Sequence, residues 1–206
     1  MYQKQLEGIL DQIKVDNAKP SLLIHACCAP CSSYVLEYLI PYFSITVFYY
    51  NPNISPASEY DFRLAEERRL VRELPGADGI AVEAPPYDHG EFLAASEGLE
   101  ALPEGGERCT ACFKLRLDAA AAWAAAHGFD YFTTTLTISP LKDAARLNEI
   151  GQEAGAAHGV RFLPSDFKKR DGFKRSIELS RQYSLYRQNY CGCEFSRAAR
   201  QDEAQL

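Results

Sequence analysis

The residues most able to do chemistry in this chain are its seven cysteines. They fall into three short groups, whereas isolated core thiols would be scattered through the sequence. Structural disulfides are rare in reducing compartments, and an odd number of cysteines cannot pair completely. Grouped thiols therefore indicate metal binding or redox catalysis. The groups are Cys27, Cys28 and Cys31; Cys109 and Cys112; and Cys191 and Cys193.

The first group lies in "HACCAPC", directly after the apolar run 21–26. Adjacent thiols cannot easily bond each other, and neighbouring residues project in different directions. Cys27 and Cys28 could therefore serve two different metal atoms. The alternative is that one of the two is a buried core thiol.

The second group lies in "RCTAC", where Cys109 and Cys112 are three residues apart at the start of a predicted helix. This spacing puts both thiols on one helix face. The helix dipole and the neighbouring Arg108 are expected to favour thiolates there. Together with Cys27 and Cys28 they make a four-thiolate set, which suits zinc or an iron–sulfur cluster.

The third group is "YCGC", in which Gly192 separates Cys191 from Cys193. The central glycine allows a tight dithiol that could be reversibly oxidised or could reach a metal. The alternative is a loop that carries spare thiols. We interpret the pair as a redox dithiol.

Predicted strands and helices alternate along the chain, which is typical of a parallel α/β sheet covered by helices on both faces. We expect one domain over residues 1–206, with a flexible tail over 197–206. Ser58 is predicted to cap its helix, and Gly128 and Gly159 to end theirs. The predicted strands span 21–26, 44–51, 79–85, 129–137 and 160–164. The predicted helices span 3–16, 32–40, 58–74, 89–97, 109–128, 141–159 and 172–188.

Three strand ends carry polar or thiol side chains. The first cysteine group follows the first strand, "YNPN" (50–53) follows the second, and "TTTLTISP" (133–140) covers the end of the fourth. Open α/β sheets form their sites beyond the carboxyl ends of the strands. The sequence therefore predicts a site, with its metal ligands, at this edge of the sheet.

The net charge is 22 − 28 = −6, so any contact with nucleic acid needs a local basic patch. The run "FKKRDGFKR" (167–175) supplies five cations flanked by Phe167 and Phe173, although such a run is usually a solvated face. Arg181, Tyr186 and Arg187 could extend it. No apolar run approaches the ~20 residues of a membrane helix, and the N-terminus is not expected to be a secretion signal. We expect a cytoplasmic protein without membrane contact.

Six motifs, in this order, resemble those of the QueH epoxyqueuosine reductases over about residues 22–196: "HACCAPC", "FYYNPNISP", "EYDFR", "RCTACFKLRL", "FTTTLTISP" and "YRQNYCGCEFS". The resemblance implies reduction of the epoxide of epoxyqueuosine at the wobble position of the tRNA anticodon, the last step of queuosine biosynthesis. It also implies a 4Fe–4S cluster beside a separate iron ion, and an electron donor that it does not identify. The implied architecture is similar to adenine-nucleotide hydrolase-like (HUP or PP-loop-like) domains.

Carried over to this sequence, the resemblance makes Cys27, Cys28, Cys109 and Cys112 the metal-binding residues. Cys31 stands where some members carry an aspartate, and it is a further candidate ligand. The family usually has Asp-Phe-Arg-Lys where this chain has "DFKK". Lysine keeps the charge of that arginine and loses its bidentate fork, which affects a phosphate contact and not the chemistry.

Loss of the epoxide oxygen takes two electrons and two protons, so proton donors are needed beside Cys27 and Cys28. The candidates are His25, Tyr50, Tyr60 and Tyr190, although a histidine ending a buried strand is more often a hydrogen-bonded core residue. Glu59 and Arg63 are one turn apart and are by default a surface ion pair. The resemblance implies that they order the substrate loop. The predicted substrate-binding residues are Asn51, Asn53, Glu59, Arg63, Lys168, Lys169 and Arg170.

Three other functions compete with this reading. A PP-loop-like tRNA sulfur transferase would need a Gly/Ser phosphate loop after the first strand, where this chain has "CCAPC". A non-enzymatic, zinc-stabilised RNA-binding module would be colourless and would hold no iron. A plain dithiol oxidoreductase would fit "CTAC" at a helix start but leaves the other cysteines unexplained.

Overall fold

The computed structural model describes residues 1–203, and in 201–203 only the backbone. Its five strands form one parallel sheet in the order β3-β2-β1-β4-β5, which confirms the predicted fold class and matches a HUP-type domain. β1 lies at the centre and pairs with both β2 and β4. The strands are β1 (Ser21–His25), β2 (Ser44–Phe48), β3 (Ala81–Glu83), β4 (Tyr131–Thr134) and β5 (Arg161–Phe162).

Eight α-helices flank the sheet within the described residues. A short 3₁₀ helix, Thr135–Ile138, follows β4 directly because the Thr134 hydroxyl accepts a hydrogen bond from the Leu136 N–H and turns the chain. The helices are α1 (Tyr2–Val15), α2 (Ala29–Leu39), α3 (Ala57–Glu73), α4 (His89–Ser96), α5 (Glu107–Ala126), α6 (Ala144–His158), α7 (Gly172–Gln182) and α8 (Glu194–Glu203).

Several predicted boundaries are wrong. Ser58 does not cap α3, because the helix begins at Ala57 and the Pro56 carbonyl accepts its first bonds. α7 ends at Gln182, since Ser184 takes a left-handed φ of 48°. β2 and β4 end at Phe48 and Thr134, three residues short of their predicted ends.

The predicted flexible tail overlaps α8, a helix that the sequence did not indicate. The residues 204–206 of that tail lie outside the described part of the chain. Within the described residues, no helix combines the length and the apolar character that crossing a bilayer requires.

Successive residues of β1 are buried on opposite faces of the sheet, as strand geometry requires. Leu22 and Ile24 pack in the core formed with α1, α2 and α3, whereas Leu23 packs against the alanines of α5. β1 is therefore covered on both faces of the sheet. At the carboxyl end of this strand the chain enters "HACCAPC".

α6 lies against β5 and the end of β4 because two of its residues have no side chain. A Cβ at Gly151 would stand 2.4 Å from the Phe162 ring, and one at Gly155 would stand 2.6 Å from the Val160 carbonyl oxygen. Neither separation is tolerated between real atoms. These glycines set how closely the helix approaches the sheet.

Candidate active site

The strand order reverses between β1 and β4, and the loops after these two strands meet. The Cys27 N–H donates to the Thr135 hydroxyl at 3.3 Å, and this hydroxyl lies 3.5 Å from the Cys27 sulfur. Such a reversal is the usual place for a site in an open α/β sheet. The structure therefore brings together the first cysteine group and the end of β4.

The three thiols of the first group converge. Cys28 is the extended N-cap residue of α2, and the Sγ atoms of Cys27, Cys28 and Cys31 all lie within 4.8 Å of one another. The Cys27 and Cys28 sulfurs are 3.7 Å apart, so the expectation that these neighbours diverge is wrong. The turn from β1 into α2 folds both side chains to the same side.

This spacing suits one metal ion. A tetrahedral ion with metal–sulfur bonds of about 2.3 Å holds its thiolates ~3.8 Å apart. The Cys27 and Cys28 sulfurs already stand 3.7 Å apart. Cys31, which the sequence left as a further candidate, belongs to this three-thiol group, whereas Cys109 and Cys112 do not.

The other four thiols line a second, neighbouring cavity. Cys109 and Cys112 project from α5, and Cys191 and Cys193 approach from the segment before α8, around a cavity of about 110 Å³. The first group lies in a larger cavity of about 240 Å³. Cys191 and Lys142 line both cavities, so the two thiol groups are adjacent parts of one region.

Burial determines how readily these thiols ionise. Desolvation raises the pKa of Cys109 and raises the pKa of Cys112 to about 11, so the expected stabilisation of thiolates at this helix start is wrong for the metal-free protein. The Arg108 guanidinium donates instead to the carbonyls of Glu100 and Leu102. A bound metal ion would reverse the balance, because a coordinating thiol is deprotonated outright.

Arg116 is a functional residue that the sequence analysis missed. It is 1% exposed, and its guanidinium donates to Asn51 Oδ1 at 2.6 Å and to His25 Nε2 at 3.3 Å, with Nη1 3.9 Å from the Cys112 sulfur. Within residues 1–200, whose side chains the structure describes, no carboxylate lies at ion-pair distance from it. Because a buried cation needs a counter-charge, thiolates are the natural partners of this one.

A pattern in the sequence does point to Arg116. It follows Cys109 by seven residues and Cys112 by four, and these are the spacings of one α-helix face.

His25 is fully buried, with Nδ1 2.9 Å from the Thr134 hydroxyl and Nε2 3.1 Å from the Tyr50 carbonyl. Burial, together with the Arg116 charge, lowers its pKa to about 3, so the imidazole is neutral. It does not line the larger cavity. This placement supports the reading of His25 as a hydrogen-bonded core residue.

Of the four predicted proton donors, Tyr190 alone lines the larger cavity. Its ring lies 5.1 Å from the Arg63 guanidinium carbon. The Tyr50 hydroxyl instead donates to the Glu91 carboxylate, and the Tyr60 hydroxyl lies 3.5 Å from the Tyr49 carbonyl.

Asn51 and Asn53 also line the larger cavity, and Asn51 is fixed by a 2.8 Å bond from its amide to the Ala26 carbonyl. Arg63 is 2% exposed and pairs with Glu59 at 2.7 Å. It also donates to the Cys191 carbonyl at 3.3 Å. The default reading of this pair as a surface ion pair is therefore wrong, because it anchors the "CGC" segment.

The predicted basic run is largely neutralised by carboxylates. Lys168 pairs with Asp166 at 2.9 Å, Arg170 with Glu7 at 3.0 Å, and Arg175 with Glu37 at 2.7 Å. Lys169 and Lys174 are exposed. Phe173, within the same run, lines the larger cavity.

A parallel α/β domain with grouped thiols at the switch point of its sheet defines a class of cysteine-dependent metal or redox enzymes. The family model described as epoxyqueuosine reductase QueH matches residues 22–199. This chain belongs to the epoxyqueuosine reductase QueH family.

Three proteins named epoxyqueuosine reductase QueH show the extent of the similarity, and each alignment covers 95% of this chain. The protein from Staphylococcus epidermidis is 43% identical over 84% of its own length. The one from Streptococcus pyogenes is 41% identical over 77%, and the one from Staphylococcus aureus is 42% identical over 83%.

Proposed function

We propose that this protein reduces the epoxide of epoxyqueuosine in tRNA, giving queuosine. The observation that carries the proposal is the convergence of the thiol groups at the switch point of a chain that matches the reductase family over residues 22–199. In balance, the epoxide takes up two electrons and two protons, both carbon–oxygen bonds break, and an alkene and water form. An electron donor that we do not identify supplies the electrons.

The proposed cofactors are a 4Fe–4S cluster and a separate iron ion. The proposed ligand set is Cys27, Cys28, Cys109 and Cys112, to which the three-thiol geometry adds Cys31 as a ligand of the single ion. When bound, these groups supply electrons to the substrate and a Lewis acid for the epoxide oxygen. The donor chemistry fits, because soft thiolates select iron–sulfur clusters and related ions.

Residues of the chain itself orient the substrate and handle its protons. Asn51 is held by hydrogen bonds from Arg116 and to the Ala26 carbonyl, so it presents a fixed amide at the cavity wall. Tyr190 and Lys142 line the same cavity as the three thiols and are the proposed proton donors. The buried side chains of Leu136 and Ile138 form an apolar part of the wall and exclude water.

Cys191 and Cys193 have a role as a redox dithiol in this proposal. Cys191 lines both cavities, and the Cys193 sulfur accepts a hydrogen bond from the Ser196 N–H at 3.4 Å. Gly192 between them has a φ of 126°, which only glycine adopts readily. The backbone thus lets the two thiols approach the metal region from one tight turn.

Anaerobic purification with iron, zinc and acid-labile sulfide assays tests the proposal, together with nucleoside analysis of epoxyqueuosine-containing tRNA after turnover. We expect at least four irons per chain, sulfide, and conversion to queuosine. Zinc without iron would support the RNA-binding module, and fewer than four irons or no sulfide would contradict the cluster.

Two variants separate the proposed ligands. Cys109→Ser should abolish turnover, and full activity would contradict its assignment. Cys31→Ser should lower the iron content and leave the sulfide unchanged, because Cys31 belongs to the three-thiol group. A parallel loss of sulfide would contradict the single-ion role of Cys31.

A further inference from the structure

The wall of the larger cavity includes an aromatic ring beside a planar cation. Phe173 projects from the first turn of α7, and Arg187 comes from the segment that follows this helix. The Arg187 guanidinium carbon lies 5.9 Å from the centroid of the Phe173 ring. This is within the ~6 Å range of a cation–π contact.

The position of Arg187 is fixed by a second contact. Its Nη1 donates to the Ser180 hydroxyl at 3.1 Å, and that hydroxyl donates in turn to the Ser176 carbonyl at 2.6 Å. Ser176 and Ser180 lie on α7, as does Phe173. The ring and the guanidinium are therefore held by the same helix in the wall of the cavity that also contains the three thiols.

Cations of the neighbouring basic run (167–175) either pair with carboxylates or lie away from the cavity. Arg170 and Arg175 are committed to carboxylates of α1 and α2, and exposed Lys174 does not line the cavity. An RNA phosphate would have to displace those carboxylates. Arg187 is exposed, and its guanidinium donates to the neutral hydroxyl of Ser180. A phosphate at Arg187 would not have to displace a carboxylate of the residues whose side chains the structure describes.

The size of the cavity limits what it can take. Its volume of about 240 Å³ lies below the ~300–1,000 Å³ of ordinary small-molecule pockets. A stacked anticodon is too large for this cavity, so only part of a single nucleotide can enter it. Enzymes that act on a base inside a structured nucleic acid take that base out of the stack.

We propose that Phe173 and Arg187 form a nucleotide clamp that receives the splayed-out wobble nucleotide. Phe173 stacks on the base, Arg187 pairs with an adjacent phosphate, and the modified ring reaches the three thiols that line the same cavity. Aromatic rings and arginines are the usual readers of unstacked RNA bases. This inference rests on the proposed function, whose substrate it places.

The test compares clamp variants with charge-matched variants outside the predicted RNA-binding patch. Phe173→Ala, Phe173→Leu, Phe173→Tyr and Arg187→Gln are prepared as metal-loaded, full-length chains. Lys4→Ala and Arg72→Gln serve as controls, because both residues are exposed, on α1 and α3, and neither lines the cavity. Affinity for an anticodon stem–loop RNA is measured by fluorescence anisotropy at several salt concentrations.

Phe173→Ala and Phe173→Leu, which lack the stacking ring, should weaken binding to the RNA by about tenfold or more. Phe173→Tyr keeps an aromatic ring and should bind the RNA as the wild type does. Arg187→Gln should reduce the slope of log K against log salt concentration by about one phosphate contact. Both controls should stay within about twofold of the wild type, since their side chains touch no proposed RNA contact. Phe173→Leu keeps an apolar side chain, so its loss of affinity reports stacking even if Phe173→Ala folds poorly.

Clamp variants that bind RNA as tightly as the controls would overturn the inference. If the wild type reduces the epoxide and the clamp variants bind RNA normally, the clamp is contradicted and the proposed function is not. If the wild type binds RNA through Phe173 but does not reduce the epoxide, the proposed function is contradicted and the clamp is supported. A wild type that binds no anticodon RNA would refute both.

Discussion

Glu67 of α3 is a carboxyl group buried without a partner. It is 0% exposed, and neither of its oxygens has a hydrogen-bond partner among the described residues. Burial raises its pKa from the ordinary 4.5 to about 8, against a smaller opposing effect of Ser32. The group should therefore be protonated in the folded protein at neutral pH.

The direction of its effect on stability follows from counting protons. In the unfolded chain Glu67 ionises near pH 4.5, whereas in the folded chain it keeps its proton until about pH 8. Between these values the folded state binds one more proton, so its free energy of unfolding falls by ~1.4 kcal/mol per pH unit. This loss in the free energy of unfolding is absent below pH 4.5 and reaches about 3 kcal/mol at pH 7. Above pH 8 it is complete, at about 5 kcal/mol.

Glu67→Gln removes the ionisable proton and keeps the shape of the side chain. The free energy of unfolding of this variant should lack that decline, so its difference from the wild type should rise in favour of the variant between pH 5 and pH 8. An unsatisfied amide would add a constant offset, because glutamine does not titrate. The slope, not the offset, therefore reports the buried proton.

Urea unfolding at half-unit pH steps, under anaerobic conditions and at one metal content, measures this difference. Glu66→Gln is the matched control, since Glu66 is the next residue of α3 and pairs with Arg69 at 2.9 Å. The Arg69 hydrogen bond lowers the pKa of Glu66, so removing this carboxylate should cost up to about 1 kcal/mol at neutral pH. Parallel curves for Glu67→Gln and the wild type would refute the reasoning.

Three further substitutions have defined outcomes. Arg116→Met removes the donor to Asn51 Oδ1 and leaves the thiols without their buried cation. Its free energy of unfolding in urea should therefore fall by about 2–5 kcal/mol, and its iron content should be lower than that of the wild type. An unchanged iron content would contradict the counter-charge role of Arg116. Gly155→Ala drives a methyl group against the Val160 carbonyl and should cost about 1–3 kcal/mol. A Cβ added at Gly8, an exposed residue of α1, would have no atom within 4 Å. Gly8→Ala should therefore stabilise the fold by up to ~1 kcal/mol and raise the thermal midpoint. If Gly8→Ala and Gly155→Ala changed the stability in the same direction, the packing argument would be contradicted.

The parts of the fold that depend on local patterns were predictable from the sequence. The alternation of strands and helices predicted the parallel sheet, and the position of Cys27 directly after β1 predicted a site at the strand ends. The spacing within "HACCAPC" identified thiols that the structure brings within 4.8 Å. These features need only the period of a strand and the direction of a parallel sheet.

The remaining features depend on contacts between residues that are distant in the sequence. Arg170 is neutralised by Glu7, which is 163 residues away, so the charge of the basic run could not be judged locally. The burial of Arg116 depends on Asn51, and the role of Arg63 depends on the Cys191 carbonyl. No periodic pattern encodes these pairings, because each is set by how the helices pack on the sheet.

The thiols of this region come from three segments that the ribosome makes at different times. At ~5–20 residues per second, the stretch from Cys31 to Cys191 takes about 10–30 s to synthesise. Cys27, Cys28 and Cys31 exist without the "CGC" segment throughout that interval. Until residues 131–134 are made they also exist without β4, whose following residue Thr135 contacts Cys27. The first thiols are thus open to oxidants and to the wrong metals for many seconds, and correct loading of the site has to follow completion of the last group.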